Sequence, residues 1–335
     1  MKILVLVHSD LVPPHKVRSQ KQWREAHWKT EYDVIKGLRE SGFDVRVLGI
    51  NHDLEVLRKA IDEYQPKIVF NLLEEFAGEA VFDQNIVSYL EMKGIAYTGS
   101  NPRGLILARD KALAKTIVMA EGIRTAPFWV FKKNKKVKVP KEIEFPCFVK
   151  TQLEEASVGI DENSIVHNKI QLKQRVEYLH KNFEADVMVE SYIEGREFYV
   201  GIVGNARLHV YPVWELFIDR APKGMPFIAS SKVKWDFDFR RKHGIHTGPA
   251  ENLTDKQSQE MQSISRIAYK ALNLSGYARI DLRMNEKEEI FFLEANPNPD
   301  IGYQEDLSSS AESDGDTYQD LLSKIVRLGI NWKAS

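Results

Sequence analysis

Apolar and polar residues alternate with period two in segments 277–283 and 291–296, and this pattern predicts two β-strands. In the first segment the even-numbered residues are apolar and should share one face of the strand. The expected apolar face of the second segment consists of Phe291, Leu293 and Ala295. The polar run 286–289 between the two segments predicts a short hairpin loop.

The expected register of this hairpin brings two carboxylates together. If Asn285 pairs with Ile290, then Asp281 lies directly opposite Glu294. Facing carboxylates repel one another in a sheet, and a hard divalent cation would remove that repulsion. With Asn296 on the same face, the set offers only oxygen ligands, which is typical of Mg²⁺ sites.

A second interpretation of the same hairpin stays open. The hairpin could face solvent, with the carboxylates of Asp281 and Glu294 paired to Arg279 and Arg283. Short motifs carry a real risk of false matches, and these residues alone favour neither interpretation.

The first hundred residues alternate short apolar strand patterns with helical patterns, which predicts βαβ units around a parallel sheet. The strand patterns are Ile3–Val7, Asp44–Ile50, Lys67–Leu73 and Ile95–Thr98. The helical patterns are Thr30–Ser41, Leu54–Tyr64 and Asp83–Lys93. We therefore expect a small doubly wound, Rossmann-like α/β domain over residues 1–103.

The remaining chain predicts two α+β units, residues 104–186 and 187–335. The helical patterns are Leu105–Glu121, Gln171–Asn182, Asp255–Leu272 and Thr317–Leu328. The strand patterns are Pro127–Phe131, Phe145–Lys150, Val187–Glu190, Glu197–Val203, Arg207–Val213, Ala278–Met284 and Glu289–Asn296. We expect the lysine-rich segment 132–141 to be a solvated hairpin loop rather than a nucleic-acid site. The acidic, serine-rich segment 305–316 could favour a cationic or amine-rich acceptor, but a solvated loop is the simpler expectation.

Composition excludes several classes of protein. The 335 residues contain 47 basic and 48 acidic side chains, a balance that argues against non-specific nucleic-acid binding. Cys147 is the only cysteine, so one chain can form no disulfide framework, which fits a reducing cytoplasm. Because no apolar stretch approaches the roughly 18 residues that cross a bilayer, we expect no membrane association.

Charged residues at predicted strand ends are candidates for a nucleotide site. Lys150 ends an apolar strand beside a loop, where an ammonium suits a phosphate, although a single strand-end lysine more commonly just extends into solvent. Glu190 and Glu197 flank a hinge that would expose backbone groups of Tyr192 and Ile193. Such backbone groups can bind an adenine edge and a carboxylate can bind ribose, although the hinge could equally be a plain turn.

In their order along the chain, these residues resemble the ATP-grasp superfamily and, within it, the D-alanine–D-alanine ligases. The ordered set is Lys111, Lys150, Glu190, Glu197, Arg279, Asp281, Glu294 and Asn296. Three further segments carry the same resemblance, Phe70–Glu75, Tyr97–Ser100 and Asp110–Lys115. The similarity extends from about residue 67 to residue 296, and its C-terminal motifs are the most specific.

The resemblance implies three subdomains with ATP held between two of them. The residues implied to bind the nucleotide are Lys111 and Lys150 at the phosphates, Glu190, Tyr192 and Ile193 at adenine, Glu197 at ribose, and also Ser157 and Leu293. The implied ligands of two Mg²⁺ ions, with Mn²⁺ as an alternative metal, are Asp281, Glu294 and Asn296. The implied catalytic residues are Arg279, beside the reacting acyl carbon, and Lys234, on a loop near the phosphates.

The chain departs from the family pattern in the phosphate loop and where the family binds its amino acids. Ala156 and Glu155 replace the first serine and the glycine of the phosphate loop, and Trp235 stands where a tyrosine is expected. Segment 8–15 lacks the glycine-rich turn and glutamate that orient the first D-alanine. The leucine-proline-glycine turn and the serine that binds the acceptor carboxylate are also missing, since segment 297–310 differs there.

The sequence therefore predicts an ATP-dependent carboxylate–amine ligase that forms an amide through an acyl phosphate, with a substrate other than two D-alanines. The alternatives are a small-molecule kinase on the same fold and a genuine D-alanine–D-alanine ligase. A nucleotide-binding module without catalysis is disfavoured because the metal ligands and Arg279 are present. A dinucleotide-binding dehydrogenase is disfavoured because no Gly-x-Gly-x-x-Gly follows the first strand. Expected partners are a carboxylate donor, an amino-acid or peptide amine acceptor, and a second copy in a homodimer.

Overall fold

Three β-sheets organise the chain in the computed structural model, which describes residues 1–17, 19–153, 159–221, 228, 233 and 236–334. In the order in which the chain enters them, the sheets have three, four and five strands. The expected α/β architecture is confirmed.

The first sheet is parallel and has the strand order β2-β1-β3. The elements of this region are β1 (Lys2–His8), α1 (Gln20–Arg24), α2 (Lys29–Glu40), β2 (Asp44–Ile50), α3 (Leu54–Tyr64), β3 (Ile68–Asn71) and α4 (Asp83–Met92). The expected strand Ile95–Thr98 is wrong, because this segment contributes only one isolated bridge, between Val69 and Tyr97. Helices between parallel strands bury both faces of the sheet, which explains the continuous apolar run of β1.

The second sheet is antiparallel and has the strand order β4-β7-β5-β6. Its region contains α5 (Pro102–Arg109), α6 (Lys111–Ala120), β4 (Phe128–Phe131), β5 (Cys147–Thr151), β6 (Ile165–Val166), α7 (Lys169–Phe183) and β7 (Val187–Ser191). The expected hairpin around segment 132–141 is wrong, because β4 pairs with β7 and not with β5. The single helix expected over 105–121 is also wrong, because Asp110 ends α5 and caps α6.

The third sheet is antiparallel and has the strand order β10-β9-β8-β11-β12. Its region contains β8 (Arg196–Gly204), β9 (Leu208–Ile218), α8 (Phe237–His243), β10 (Ile245–Pro249), α9 (Asp255–Ala271), β11 (Tyr277–Met284), β12 (Ile290–Pro297), α10 (Asp306–Ser313) and α11 (Tyr318–Asn331). The loop expected over 305–316 is wrong, because α10 buries Leu307 and Ala311 against the sheet. Burial of two apolar side chains one helical turn apart stabilises this helix, although the acidic, serine-rich composition of the segment indicates a loop.

The hydrophobic cores cross the expected domain boundaries. One core joins β1, β3 and α2 to Leu321 and Ile325 of α11, so the end of the chain completes the N-terminal unit. The boundary expected between residues 186 and 187 separates β7 from the sheet that contains it, whereas strand pairing favours a boundary after Ser191. We propose three units, with the second unit extended to Ser191. Within the described ranges, no helix combines the length and the apolar character that a bilayer crossing requires.

Candidate active site

The hairpin of β11 and β12 places Asp281 directly opposite Glu294, as the sequence predicts. The route to this pairing differs, because Met284 and not Asn285 pairs with Ile290. The register then shifts between Asp281 and Leu282, where Leu293 is the extra residue of a β-bulge. The expected register predicts the Asp281–Glu294 pair in a regular ladder. In the structure the ladder begins one residue earlier, and the bulge at Leu293 brings Asp281 and Glu294 opposite one another again.

The same bulge changes which side chains of β12 face the core. The expected apolar face of Phe291, Leu293 and Ala295 is wrong, because the core cluster contains Ile290, Phe292 and Ala295. Leu293 instead lines a cleft together with Glu294 and Asp281. A bulge makes two neighbouring residues oppose one partner, so strict alternation fails at the position where β12 meets the cleft.

The second interpretation of this hairpin is confirmed in its ion pair but is wrong in its exposure. A carboxylate and an arginine of the hairpin do pair, but the pair is buried. Arg279 holds both oxygens of Asp281, with Nε–Oδ1 and Nη2–Oδ2 distances of 2.7 and 2.9 Å. Its third nitrogen lies 3.2 Å from Asp306 of α10. Burial opposes the charge of Arg279, yet the two carboxylates raise its pKa well above the ordinary value. Asp281 is 3% exposed, so this ion pair belongs to an interior cleft.

Two lysines and two glutamates from different sheets meet in the cleft. Lys150 Nζ at the end of β5 lies 3.0 Å from Glu190 on β7 and 3.8 Å from Glu294 on β12. Lys115 of α6 is fully buried and its Nζ lies 2.9 Å from the other oxygen of Glu190. Lys115 also donates to the Phe292 carbonyl at 3.2 Å, which ties α6 to the strand that carries Glu294.

Burial and charge act in opposite directions on these groups. Burial alone would raise the pKa of Glu190, but Lys115 and Lys150 together hold it below the ordinary value. Burial, together with the neighbouring Lys150, lowers the pKa of Lys115. Burial also opposes the charge of Lys150, while Glu190 and Glu294 raise its pKa above the ordinary value. Because desolvated charges are stable only when paired, this cluster requires all four elements, α6, β5, β7 and β12, to be in place.

The strand β8 and the hinge before it form another wall of the cleft. Glu197 is buried and accepts hydrogen bonds from Arg283 and from the Tyr199 hydroxyl. The sequence predicts free backbone groups at the hinge, and this is wrong for two of them. The Tyr192 N–H donates to the Pro146 carbonyl at 3.0 Å, and the Ile193 carbonyl accepts from Arg283 at 3.0 Å.

Most of the candidate nucleotide residues line one cleft. The lining residues among them are Lys150, Glu190, Tyr192, Ile193, Glu197 and Leu293. Two of the candidate metal ligands, Asp281 and Glu294, line the same cleft. Lys111 stands outside that lining, as the first residue of α6 and 8% exposed. Its N–H faces the Gln152 carbonyl at 3.5 Å, beside the segment that follows β5. Ser157 and Lys234, with Glu155, Ala156 and Trp235, lie outside the described residues.

The three candidate metal ligands suit a hard cation by their chemistry. Asp281 and Glu294 face one another, and Asn296 pairs with Arg279 two residue pairs further along the same ladder. The buried Asn296 amide nitrogen has no hydrogen-bond partner among the described residues, so the amide is free to turn its oxygen toward an ion. Within the described part of the chain, no group of three or more carboxylate, histidine or cysteine side chains could hold a metal ion.

Two residues of this site escaped the sequence interpretation. Lys115 belongs to the segment Asp110–Lys115 that carries the family resemblance, but the sequence gives it no role of its own. Its position one turn after Lys111 is the one local feature that could have predicted its burial beside Glu190. Asp306 fell in the segment expected to be a solvated loop, yet it contacts Arg279. In both cases the partner lies far along the chain, and only the folded arrangement brings the pair together.

Comparison with known families gives one extended match. Residues 117–327 match the family model described as the D-ala D-ala ligase C-terminus. A curated relative, the D-alanine–D-alanine ligase of Aquifex aeolicus, is 33% identical over 304 residues. That alignment covers 90% of this chain and 95% of the relative.

Comparison with solved structures gives the same fold. The D-alanine–D-alanine ligase from Bacillus anthracis, solved in complex with ATP, superposes with a TM-score of 0.76 at 23% identity. The two chains cover 98% and 97% of one another. The VanG D-Ala:D-Ser ligase from Enterococcus faecalis has a TM-score of 0.71 at 19% identity, with 98% of this chain and 99% of that chain covered.

Proposed function

We propose a function from one premise, that this chain belongs to the D-alanine–D-alanine ligase family. As a member of that family it is an ATP-dependent enzyme that forms C–N bonds. Beyond this premise, we propose that the cleft between the second and third sheets binds ATP and activates a carboxylate donor. The supporting observation is that Lys150 Nζ lies between Glu190 of one sheet and Glu294 of the other.

The proposed reaction has two steps. A carboxylate oxygen of the donor attacks the γ-phosphorus of ATP, ADP leaves, and the donor becomes an acyl phosphate. An uncharged amine nitrogen then attacks the acyl carbon, inorganic phosphate leaves, and the amine loses a proton as the amide forms. Phosphoryl transfer needs positioning and charge neutralisation more than a protein nucleophile, which fits a cleft rich in cations.

We propose the nucleotide contacts from the family resemblance together with the lining of the cleft. Lys150 and Lys111 would neutralise phosphate charge, together with Ser157 and Lys234 from the segments outside the described residues. Glu190 and Glu197 would bind the adenosine, between the side chains of Tyr192, Ile193 and Leu293. Arg283 already fixes Glu197, so that carboxylate is oriented before any ribose hydroxyl reaches it.

Asp281, Glu294 and Asn296 would hold two Mg²⁺ ions, or Mn²⁺ in their place. When bound, such ions neutralise the phosphates and polarise the phosphoryl group under attack. Arg279 would donate to the oxygen of the tetrahedral adduct, a contribution of about 3 kcal/mol for a well-placed donor. Asp281 and Asp306 hold the guanidinium in one orientation for that role.

The substrates are a narrower proposal. The named relatives act on D-alanine, and the 33% identity to one of them supports a genuine D-alanine–D-alanine ligase. The altered segments 8–15 and 297–310 instead support a substrate other than two D-alanines, and we favour this alternative. A cytoplasmic location and a homodimer rest on composition and resemblance, and they stay part of the proposal.

A binding and turnover experiment tests the proposed function. Purified protein should bind ATP in calorimetry only weakly without Mg²⁺ and much more tightly with it. Glu294→Ala should reduce turnover, measured as ADP release, by at least 100-fold, while the control Glu286→Ala in the exposed loop of the same hairpin leaves it unchanged. ADP release that needs no amine would favour the kinase alternative. Absence of Mg²⁺-dependent nucleotide binding, or full turnover in Glu294→Ala, would contradict the proposal.

A further inference from the structure

Arg283 is a buried cation of the nucleotide cleft whose side chain has so far served only to orient Glu197. It lies on β11 directly opposite Glu197 of β8, and it is 4% exposed. Both residues belong to the lining of the cleft. Because alternate residues of a strand share a face, Arg283 lies on the same face of β11 as Arg279 and Asp281. Desolvating a guanidinium is costly, so its donors require partners.

Three contacts hold the Arg283 guanidinium in one orientation. Its Nη2 donates to Glu197 Oε2, and its Nη1 donates to the Ile193 carbonyl at 3.0 Å. Its Cζ lies 5.7 Å from the centroid of the Tyr192 ring, within the range of a cation–π contact. The buried Nε has no hydrogen-bond partner among the described residues. The group is therefore fixed in place with one of its three nitrogens unused.

The position of the unused donor follows from the shape of the guanidinium. This group is planar and rigid, and its Nε–H lies on the same edge as one N–H of Nη2, so the two donors point the same way. Arg196 of β8 uses both donors of this edge, on the two carboxylate oxygens of Glu215 at 2.7 and 2.6 Å. Arg283 uses only Nη2. An acceptor for its Nε–H therefore belongs beside Glu197 Oε2.

Glu197 can still accept a hydrogen bond at the same place. Its Oε2 accepts from Arg283, and its Oε1 accepts from the Tyr199 hydroxyl at 3.0 Å. A carboxylate has about four lone-pair sites on its two oxygens, so two donors do not saturate it. The pair of Arg283 and Glu197 thus offers one donor and one acceptor next to each other in the cleft.

The charges of the pair restrict what can bind there. Glu197 would repel a phosphate or a carboxylate at this position, and Arg283 would repel an ammonium. A hydroxyl is uncharged and can donate and accept through one oxygen, so a single hydroxyl can satisfy both groups. Among the groups of ATP, the ribose hydroxyls have this property, whereas adenine carries its donor and its acceptors on separate atoms.

We propose that Arg283 and Glu197 together bind one ribose hydroxyl of the nucleotide. The hydroxyl donates to Glu197 and accepts from the Nε–H of Arg283. A nucleotide that lacks this hydroxyl leaves both buried groups unpaired, and a site built to bind a hydroxyl strongly rejects the analogue without it. Arg283 is therefore a specificity-determining residue. This inference rests on the proposed nucleotide site and specifies how that site distinguishes ribonucleotides from deoxynucleotides.

The test measures nucleotide affinity by calorimetry with the full-length protein and Mg²⁺. The probes are ATP, 2′-deoxy-ATP and 3′-deoxy-ATP. We expect one of the two deoxynucleotides to bind at least fivefold more weakly than ATP, and its missing hydroxyl is then the one that Arg283 and Glu197 bind. The ratio of the two dissociation constants measures the discrimination.

One variant assigns this discrimination to Arg283. Arg283→Lys keeps a positive charge beside Glu197 but removes the Nε–H edge, so its ratio should fall to less than half of the native value. The matched control is Arg196→Lys, the same change at an arginine of the same sheet outside the lining of the cleft, and it should keep the native ratio. Because each ratio compares two nucleotides on one variant, a uniform loss of affinity cancels, and thermal unfolding confirms that each variant is folded.

The outcomes separate this inference from the proposed function. Absence of Mg²⁺-dependent ATP binding would contradict the nucleotide site and this inference together. Normal ATP binding with both deoxynucleotides bound less than fivefold more weakly would overturn only the inference, and this comparison needs the native protein alone. A ratio in Arg283→Lys that stays above half of the native value, or one that falls equally in Arg196→Lys, would overturn it as well.

Discussion

At the scale of single residues, buried ion pairs organise the cleft. Lys115 and Glu190 are 0% and 4% exposed, and each is stable inside the protein only because the other is present. Removing one partner of such a pair typically costs about 3–5 kcal/mol, since the remaining charge is left desolvated. The sequence supplies the charges but not their partners, because Lys115 and Glu190 lie on a helix and a strand that are distant along the chain.

Glu31 gives a prediction about stability and pH. Burial in the first turn of α2 raises its pKa in the folded protein to about 8 from an ordinary value of 4.5, so the folded state binds this proton more tightly than the unfolded state. The stabilising contribution of the protonated group is complete below pH 4.5 and is lost as pH rises through about 8. Each pKa unit corresponds to about 1.4 kcal/mol, so the effect should be measurable.

We expect Glu31→Gln to remove this dependence. Relative to the native protein, the free energy of unfolding of the variant should increase between pH 5 and pH 8 by more than about 1 kcal/mol and then level off. Urea unfolding at five or six pH values measures the difference, and Glu55→Gln on the exposed face of α3 is the matched control. A difference that stays constant across this pH range would contradict the raised pKa of Glu31.

At the scale of elements, local breaks in regular structure position the functional groups. The bulge at Leu293 turns two neighbouring side chains of β12 into the cleft, and the break at Asp110 starts α6 at Lys111. Neither break has a glycine or proline as its signal, so the apolar periodicity predicts one regular strand and one continuous helix instead. Tertiary contacts overrode local preference at both positions.

The cap of α6 gives the element-scale prediction. Asp110 accepts hydrogen bonds from the N–H groups of Ala112 and Leu113, and Gln152 donates to the same carboxylate oxygen at 2.7 Å. Asp110→Ala should therefore lower the free energy of unfolding by about 1 kcal/mol and weaken ATP binding through displacement of Lys111.

Asparagine caps helices about as well as aspartate, so Asp110→Asn should keep stability within about 0.5 kcal/mol of the native protein. Chemical unfolding and calorimetric titration of ATP compare the two variants directly. Equal losses in Asp110→Ala and Asp110→Asn would show that the charge, and not the cap, is what matters at this position.

At the scale of the whole molecule, the last helix holds the N-terminal sheet in place. The helix α11 packs against α2 and β3, and its Leu321 and Ile325 belong to the same core as Ile3 and Val5 of β1. The chain therefore returns to its beginning, and the packing of the first sheet depends on residues more than 200 positions away. The sequence does not predict the packing of α11 on the first sheet, because the pattern of α11 indicates only an amphipathic helix and not its partner.

Gly329 tests how close this packing is. A Cβ at this position would overlap the Tyr97 carbonyl oxygen and approach Ile68 Cδ1 to 2.7 Å. Gly329→Ala should therefore lower the free energy of unfolding by about 1–3 kcal/mol, the usual cost of overpacking.

The control for this substitution is Gly248→Ala on β10, where the nearest heavy atom to a new Cβ lies 3.8 Å away. Its unfolding midpoint in urea should stay close to the native value. If Gly329→Ala is as stable as Gly248→Ala, then α11 is not held against the first sheet as closely as described.

The sequence by itself determined the main elements, the parallel first sheet and the hairpin that carries Asp281 and Glu294. These features depend on periodicity within short segments, which is local and therefore visible in the order of residues. The bulge that sets Asp281 opposite Glu294 was decided by the tertiary structure. Only the tertiary structure decided the pairing of Lys115 with Glu190, the contact of Asp306 with Arg279 and the burial of Glu31. Each of these brings together groups from separate elements, and desolvation then changes their charge and partners in a way that no local pattern encodes.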